Sequence, residues 1–228
     1  MFSIVIPLYN ESSNIINLIG EIDHNLKNYK DFEIILVNDA STDNTLDVIQ
    51  NIQNTKIKIL QNPQNKGQSY SIHNGIKNSL NKIIITLDGD GQNDPSDISK
   101  LLKYFLKDKK VKLVGGIRVK RKDRLIKIIS SKVANLIRSK ILKDGCQDTG
   151  CSLKVFDRDI FLSFPYFDGI HRFLPALFTG YGHTTKYFSV NHRKREYGKS
   201  NYGTINRLIR GIRDINRVRK ILNNINLN

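Results

Sequence analysis

Residues 85–95 read ITLDGDGQNDP, an apolar run that stops on two aspartates one residue apart. Like charges this close repel unless a positive partner neutralises them. An EF-hand calcium loop needs Gly at its sixth position and Glu at its twelfth, where this chain has Asn93 and Ser99. There is also no glycine-rich loop ending in Gly-Lys-Ser/Thr, so a P-loop is excluded. Two readings remain open from these residues alone. One is a polar turn that starts the next helix at Asp94-Pro95. In the other, Asp88, Asp90 and the amide oxygen of Gln92 form a hard-oxygen cradle for Mg2+ or Mn2+, ions that keep open positions for substrate phosphates. A diphosphate bound to such an ion becomes a good leaving group.

The elements that must carry this turn can be read from hydrophobic spacing. Ser3–Leu8, Phe32–Val37, Lys56–Leu60, Lys82–Leu87 and Val111–Gly116 are short apolar runs of the buried-strand kind. Between them, Ser13–Lys27, the segment capped by Thr42-Asp43, Gly67–Leu80 and the segment from Pro95 carry apolar residues at helical spacing. Strands alternating with amphipathic helices imply an α/β fold, a mostly parallel sheet with helices on both faces. Ligands of such sheets bind beyond the carboxyl ends of the strands. Tyr9-Asn10-Glu11, Asp39 to Asp43 and Asp88 to Asp94 all fall there.

After Gly116 the alternation fails. Residues 118–143 hold about ten basic side chains and one acid, with Ile126, Ile129, Val133, Leu136 and Ile137 predicting a helix. Ser152–Phe156 and Thr185–Asn191 read as strands, with a short helix opening at Gly169 between them. From Thr204, Ile205, Leu208, Ile209, Ile212, Ile215 and Leu222 recur among arginines, the pattern of a basic amphipathic helix at a membrane surface or a partner. The alternative is that this isoleucine stripe docks on the rest of the chain. A catalytic domain over 1–203 and a terminal basic helix over 204–228 are the expected organisation.

Four elements in order, Val5-Ile6-Pro7-Leu8-Tyr9-Asn10-Glu11, Glu33 to Asp43, Asn65-Lys66-Gly67 and Asp88-Gly89-Asp90, closely resemble the family 2 glycosyltransferases of GT-A fold. The resemblance implies a nucleotide-sugar site made by Pro7, Tyr9, Asn10, Glu11, Asp39, Lys66, Asp88, Gly89 and Asp90, with Asp39 at the base and ribose. Asp88 and Asp90 would handle ribose, diphosphate and metal. Arg118, Lys122-Asp123, Ser131, Asn135 and Asp148 to Lys154 are similar to the branch that transfers sugars to polyprenyl phosphates, the dolichol-phosphate mannose synthase group and its bacterial relatives. His171 to Leu177, Val190 to Arg195 and Gly198 to Tyr202 fit the same branch. It implies Gln92 as a third metal ligand, Asp90, Arg118 and Arg195 as catalytic residues, and an acceptor-phosphate site of Arg118, Lys127, Ser131, Arg193, Arg195 and Ser200. Departures are Asn201, where a lysine is usual, and Lys127, where some members carry arginine. Members of the group often have C-terminal membrane helices or a membrane-embedded partner subunit; here only the basic helix stands in that place.

Physical chemistry leads to the same acceptor. A sugar hydroxyl needs a carboxylate base, for which Asp148 is the one obvious candidate in the second half. A polyprenyl phosphate is already an anion and needs cations to hold it, which Arg118, Arg172, Arg193 and Arg195 supply in bidentate form. His171 and His192 are expected to support other residues, and Cys151 to pack.

The 228 residues suffice for one domain with a real core, and 39% hydrophobic with 25% charged residues suits a folded protein. The net charge of +16 concerns partners, not fold: anionic membrane, phosphorylated substrates or nucleic acid. A nucleic-acid binder would show steep salt dependence and indifference to Asp88 and Asp90, but no recognition-helix or aromatic-basic motif supports one. No run approaches the ~20 apolar residues of a membrane span. The N-terminus lacks the features of a signal peptide, and the two cysteines, Cys146 and Cys151, have no zinc-ligand spacing. The expected place is therefore the cytoplasmic face of the membrane, held peripherally. The expected ligands are a GDP- or UDP-sugar, a divalent metal and a polyprenyl phosphate. Which sugar and which base is not readable from one chain.

Overall fold

The computed structural model describes residues 1–119, 135–195 and 204–225, with side chains of the last segment from 211 to 224. Lys127, Ser131 and Ser200 lie outside the described residues. The first half alternates as expected: β1 (Phe2–Leu8), α1 (Ser12–Asn25), β2 (Phe32–Asn38), α2 (Thr45–Gln50), β3 (Ile57–Gln61), α3 (Gln68–Lys77), β4 (Ile83–Thr86), α4 (Ser96–Lys107) and β5 (Val111–Arg118). A helix over 135–142 (α5) follows. Then come β6 (Lys154–Asp157), α6 (Arg158–Ser163), α7 (Ile170–Gly180), β7 (Thr184–Val190) and α8 (Thr204–Ile225).

The seven strands make one sheet in the order β3-β2-β1-β4-β6-β5-β7. β1 pairs in parallel with β2 and β4, β2 with β3, and β5 with β7. The sheet is mostly parallel, as expected, with β6 inserted antiparallel between β4 and β5. Both faces are covered. Phe2, Ile4, Ile6 and Leu8 of β1 point into a core shared with Ile15, Leu18, Ile19 and Ile22 of α1 and Ile98, Leu101 and Leu102 of α4. Val5 points the other way, into a core shared with Ile72 and Ile76 of α3 and the buried face of α7. Two-sided burial explains why the strands read as unbroken apolar runs.

The terminal helix departs from a membrane-facing stripe. Val218 is fully buried, and Ile215, Ile221 and Leu222 pack on the core that includes α7. Asp214, the one acid on this helix, is buried and paired with Arg172 of α7 at 2.9 Å. Among the described side chains of α8, these apolar residues are taken up by docking, and Ile212 is exposed among basic residues. On α5, Leu136, Ile137 and Ile141 are exposed instead, while Arg138 and Leu142 are buried.

Candidate active site

The β4 strand ends at Thr86 and delivers Asp88, Gly89 and Asp90 to the sheet's carboxyl edge. Gly89 is forced by close approach: a Cβ there would collide with the Leu8 side chain and lie 3.3 Å from the Pro7 carbonyl oxygen. This contact fixes the acidic turn against the end of β1. The Asp88 carboxylate accepts a hydrogen bond from Gln68 Nε2 at 2.7 Å. Burial, and then the Asp90 charge, push its pKa up to about 6. Asp90 is 8% exposed; its Oδ1 accepts from the Gln92 backbone N–H at 3.1 Å and its Oδ2 lies 2.5 Å from Arg195 Nη2.

Gln92 is tied to the segment that follows β7. Its carbonyl accepts from the Arg193 N–H at 2.8 Å, and its side-chain amide donates to the Arg193 carbonyl at 3.3 Å. Asn93 forms an antiparallel bridge with His192, and Asp97 of α4 accepts from the Asn191 N–H at 2.6 Å. The acidic turn and the segment 191–195 are therefore one unit, although a hundred residues separate them. Asp94 starts α4, as expected, by accepting from the Ser96 N–H at 3.0 Å.

The other two polar strand ends join by hydrogen bonds. Asn10 adopts a left-handed backbone (φ 57°), and its Oδ1 accepts from the Thr42 N–H at 2.8 Å. The Glu11 N–H donates to Thr45 Oγ1 at 2.9 Å; its carboxylate accepts from Asn14 at 2.7 Å, and burial raises its pKa. Asp43 caps α2 through the Thr45 N–H at 3.0 Å. Asp39 is buried; it accepts from the backbone N–H groups of Lys66 and Gly67 at 2.9 and 2.7 Å and from Asn62 Nδ2 at 2.7 Å. Its carboxylate thereby shapes the loop between β3 and α3. The Lys66 ammonium lies over the Tyr70 ring, 4.8 Å from its centroid, and Tyr9, directly after β1, is partly exposed.

Of the expected phosphate-binding cations, Arg118 and Arg195 both come near enough to Asp88 for their charges to act on it. Arg118 is held in a fork on Asp148, with Nε and Nη2 at 2.8 and 2.7 Å from the two oxygens. Arg193 is engaged elsewhere. It reaches back to Glu21 of α1 at 2.6 Å and to Asp94 at 2.8 Å, so carboxylates fill its fork. Arg172 pairs with Asp214 of α8. His171 bonds to Ser69 Oγ through Nδ1 at 2.8 Å, and burial, then the Arg172 charge, depress its pKa to about 3. It is neutral and structural, and Cys151 is fully buried. Gln68 and Glu21 belong to this edge without any motif to mark them; only the fold brings them there.

The residues present fit a divalent ion of the hard-oxygen kind. Among the described residues, no three His, Cys, Asp or Glu side chains converge on one point. The donor set is two carboxylates and the Gln92 amide, whose NH2 end is taken by Arg193, leaving its oxygen as the other end. Burial and the neighbouring Asp90 charge raise the Asp88 pKa, so this carboxylate would be stabilised by a further positive charge, while Asp90 is met by Arg195.

Comparison with known proteins bears on family and fold. The chain is 33% identical over 220 residues to dodecaprenyl-phosphate galacturonate synthase of Rhizobium johnstonii, covering 93% of this chain and 64% of that protein. It is 32% identical over 218 residues to undecaprenyl-phosphate 4-deoxy-4-formamido-L-arabinose transferase of Yersinia pestis, covering 93% and 65%. The chain thus spans slightly less than two thirds of these relatives. Glucosyl-3-phosphoglycerate synthase of Mycobacterium tuberculosis, solved with Mn2+, UDP and glucosyl-3-phosphoglycerate, superposes with a TM-score of 0.71 at 16% identity, covering 96% of this chain and 78% of that one. Mannosyl-3-phosphoglycerate synthase of Rubrobacter xylanophilus does so with a TM-score of 0.72 at 16% identity, covering 96% and 74%. These two likenesses establish the shared GT-A fold. The sequence model of glycosyl transferase family 2 matches residues 3–163, and the chain belongs to that family.

Proposed function

We propose that this chain is a metal-dependent, inverting glycosyltransferase that moves a sugar from a GDP- or UDP-linked donor to a polyprenyl phosphate. The observation that carries the reading is the pairing, at one sheet edge, of the Asp88–Asp90 turn with the cations Arg118 and Arg195. The relatives named for transfer to dodecaprenyl and undecaprenyl phosphate support the acceptor class.

An acceptor phosphate oxygen attacks the anomeric carbon as the bond from that carbon to the donor diphosphate breaks, so configuration inverts and the nucleoside diphosphate leaves. No proton has to be removed, because the acceptor is already an anion. Arg118 and Arg195 orient it and offset its charge, with Lys127, Ser131 and Ser200 as further contributors to the acceptor site, while Arg193, held by Glu21 and Asp94, braces the segment that carries Arg195. Pro7, Tyr9, Asn10, Glu11, Asp39, Lys66 and Gly89 shape the donor pocket. A Mg2+ or Mn2+ ion held by Asp88, Asp90 and Gln92 would offset the charge growing on the departing diphosphate.

A glycan hydroxyl acceptor is the weaker reading. The Asp148 carboxylate it would need as a base accepts from Arg118 through both oxygens. Residues 1–203 form the catalytic domain in this reading, and 204–228 brace it. The exposed apolar residues of α5 and the basic face of α8 suit an anionic membrane surface, each Lys or Arg adding about 1 kcal/mol. No helix among the described residues is long and apolar enough to cross a membrane, so a membrane-embedded partner or further segment remains compatible. The charge serves phosphates and lipid in this account, not nucleic acid.

The test compares undecaprenyl phosphate with undecaprenol as acceptors for a panel of GDP- and UDP-sugars with Mg2+ or Mn2+. Transfer to the phosphate alone is expected. Preference for the alcohol, or for a glycan, sinks the reading.

A further inference from the structure

We infer that Asp148 is a positioning residue for Arg118, and that the segment 148–154 is the bracket setting Arg118 against the metal-binding turn. The inference rests on the polyprenyl-phosphate reading above.

One end of the segment grips Arg118. Besides the two side-chain bonds, the Arg118 backbone N–H donates to Asp148 Oδ2 at 3.1 Å, and the pair is nearly buried, with side chains 14% and 7% exposed. The guanidinium lies over the turn so closely that a Cβ on Gly150 would be 2.7 Å from Nη2. Three N–H bonds on one carboxylate fix the plane of the fork with two of the five guanidinium donors, and a phosphate would engage the others.

The other end grips the metal-binding turn. Ser152 Oγ donates to Asn93 Oδ1 at 2.6 Å, and the Ser152 carbonyl accepts from Thr86 Oγ1, on β4, at 2.6 Å. Asn93 directly follows Gln92.

Lys154, the last residue of the segment and only 3% exposed, folds back on it, its Nζ donating to the carbonyls of Thr149 and Cys151. A buried ammonium is costly unless its donors are used. Here they hold the backbone of the turn that presents Asp148. A general base, by contrast, would need an oxygen open to the acceptor, and both Asp148 oxygens are engaged.

The test uses Asp148→Asn, Arg118→Lys and the double variant of the full chain. The readouts are KM and kcat with undecaprenyl phosphate, their pH profiles, and calorimetric binding of whichever of UDP or GDP the wild type takes with Mn2+. The expected result for Asp148→Asn is a rise in acceptor KM of ~10–100-fold, with nucleotide binding changed less than twofold and the kcat pH profile unmoved. The double variant should be no worse than Arg118→Lys. Gly150→Ala, which leaves both charges in place, should raise the same KM, and it stands in if Asp148→Asn does not fold. A fall in kcat at unchanged acceptor KM, with loss of one limb of the pH profile, would overturn the inference and make Asp148 a base. So would an unchanged acceptor KM in Gly150→Ala. Wild-type protein that binds nucleotide but transfers nothing to undecaprenyl phosphate overturns the acceptor reading itself, and this inference with it.

Discussion

Arg195 Nη2 lies 2.5 Å from Asp90 Oδ2, so a cation from the far end of the sheet neutralises one acid of the pair at the end of β4. The contact sets the order of two events. In the proposed reading, a divalent ion on Asp90 competes with Arg195, and the arginine so released would hold the acceptor phosphate. Replacing Arg195 by Gln is therefore expected to tighten Mn2+ binding to the nucleotide-free protein severalfold while lowering transfer by ~100-fold, since one developing charge loses its donor. Titration calorimetry and initial rates check the two halves separately. Weaker Mn2+ binding in the variant would contradict the competition.

Asp90→Ala removes the other side of that contact. Metal-dependent nucleotide binding should fall beyond detection by calorimetry while the thermal unfolding transition remains, because Asp90 supports no core packing. A variant that binds nucleotide with Mn2+ as the wild type does would remove Asp90 from the metal set.

Gly89→Ala tests how the acidic turn is seated. The added methyl would collide with the Leu8 side chain and press on the Pro7 carbonyl, with the Glu11 side chain in contact beyond them. Overpacking of this kind costs about 1–3 kcal/mol, read as a lower denaturation midpoint in urea, with donor affinity falling in parallel.

The first half of the sheet and the acid turn were legible because two-sided burial produces unbroken apolar runs, and polar strand ends then stand out. β6 was legible as a strand but not in direction. Lys154–Asp157 is four residues long and buried like its neighbours, and nothing in so short a run says that it enters the sheet antiparallel. Arg193 shows the limit for sites. Its motif points to a phosphate, but its partner Glu21 lies far away in the chain on α1, a tertiary choice that local spacing does not encode. For α8, helical spacing showed an apolar face but not what covers it, and Val218 covers α7.

Docking of α8 gives its own prediction. Val218→Ala removes two methylene equivalents from a fully buried position, a loss of about 1.5–2.5 kcal/mol by burial and cavity terms. Ile212→Ala, at an exposed position on the same helix, should leave unfolding unchanged. Equal effects of the two would mean that the helix does not pack in this register.

The pH dependence of stability follows from His171. The unfolded histidine takes up its proton near 6.5 and the folded one only near 3, because the ring is buried beside Arg172 and within reach of the Lys154 charge. Between those values the unfolded chain binds one more proton, so stability falls as pH drops through that window. The full contribution to the slope is about 1.4 kcal/mol per pH unit. His171→Gln should flatten the stability curve between pH 6 and 4, measured by urea unfolding at each pH. An unchanged slope would mean that this ring is protonated in the folded protein.

Mass spectrometry of undecaprenyl phosphate after incubation with the chain, Mn2+ and a panel of GDP- and UDP-sugars is the most direct measurement. The account predicts a lipid heavier by one glycosyl residue, nucleoside diphosphate released in equal amount, and neither product from Asp90→Ala. Nucleoside diphosphate released while the lipid phosphate stays unmodified, with the sugar found on water or a glycan, would contradict it.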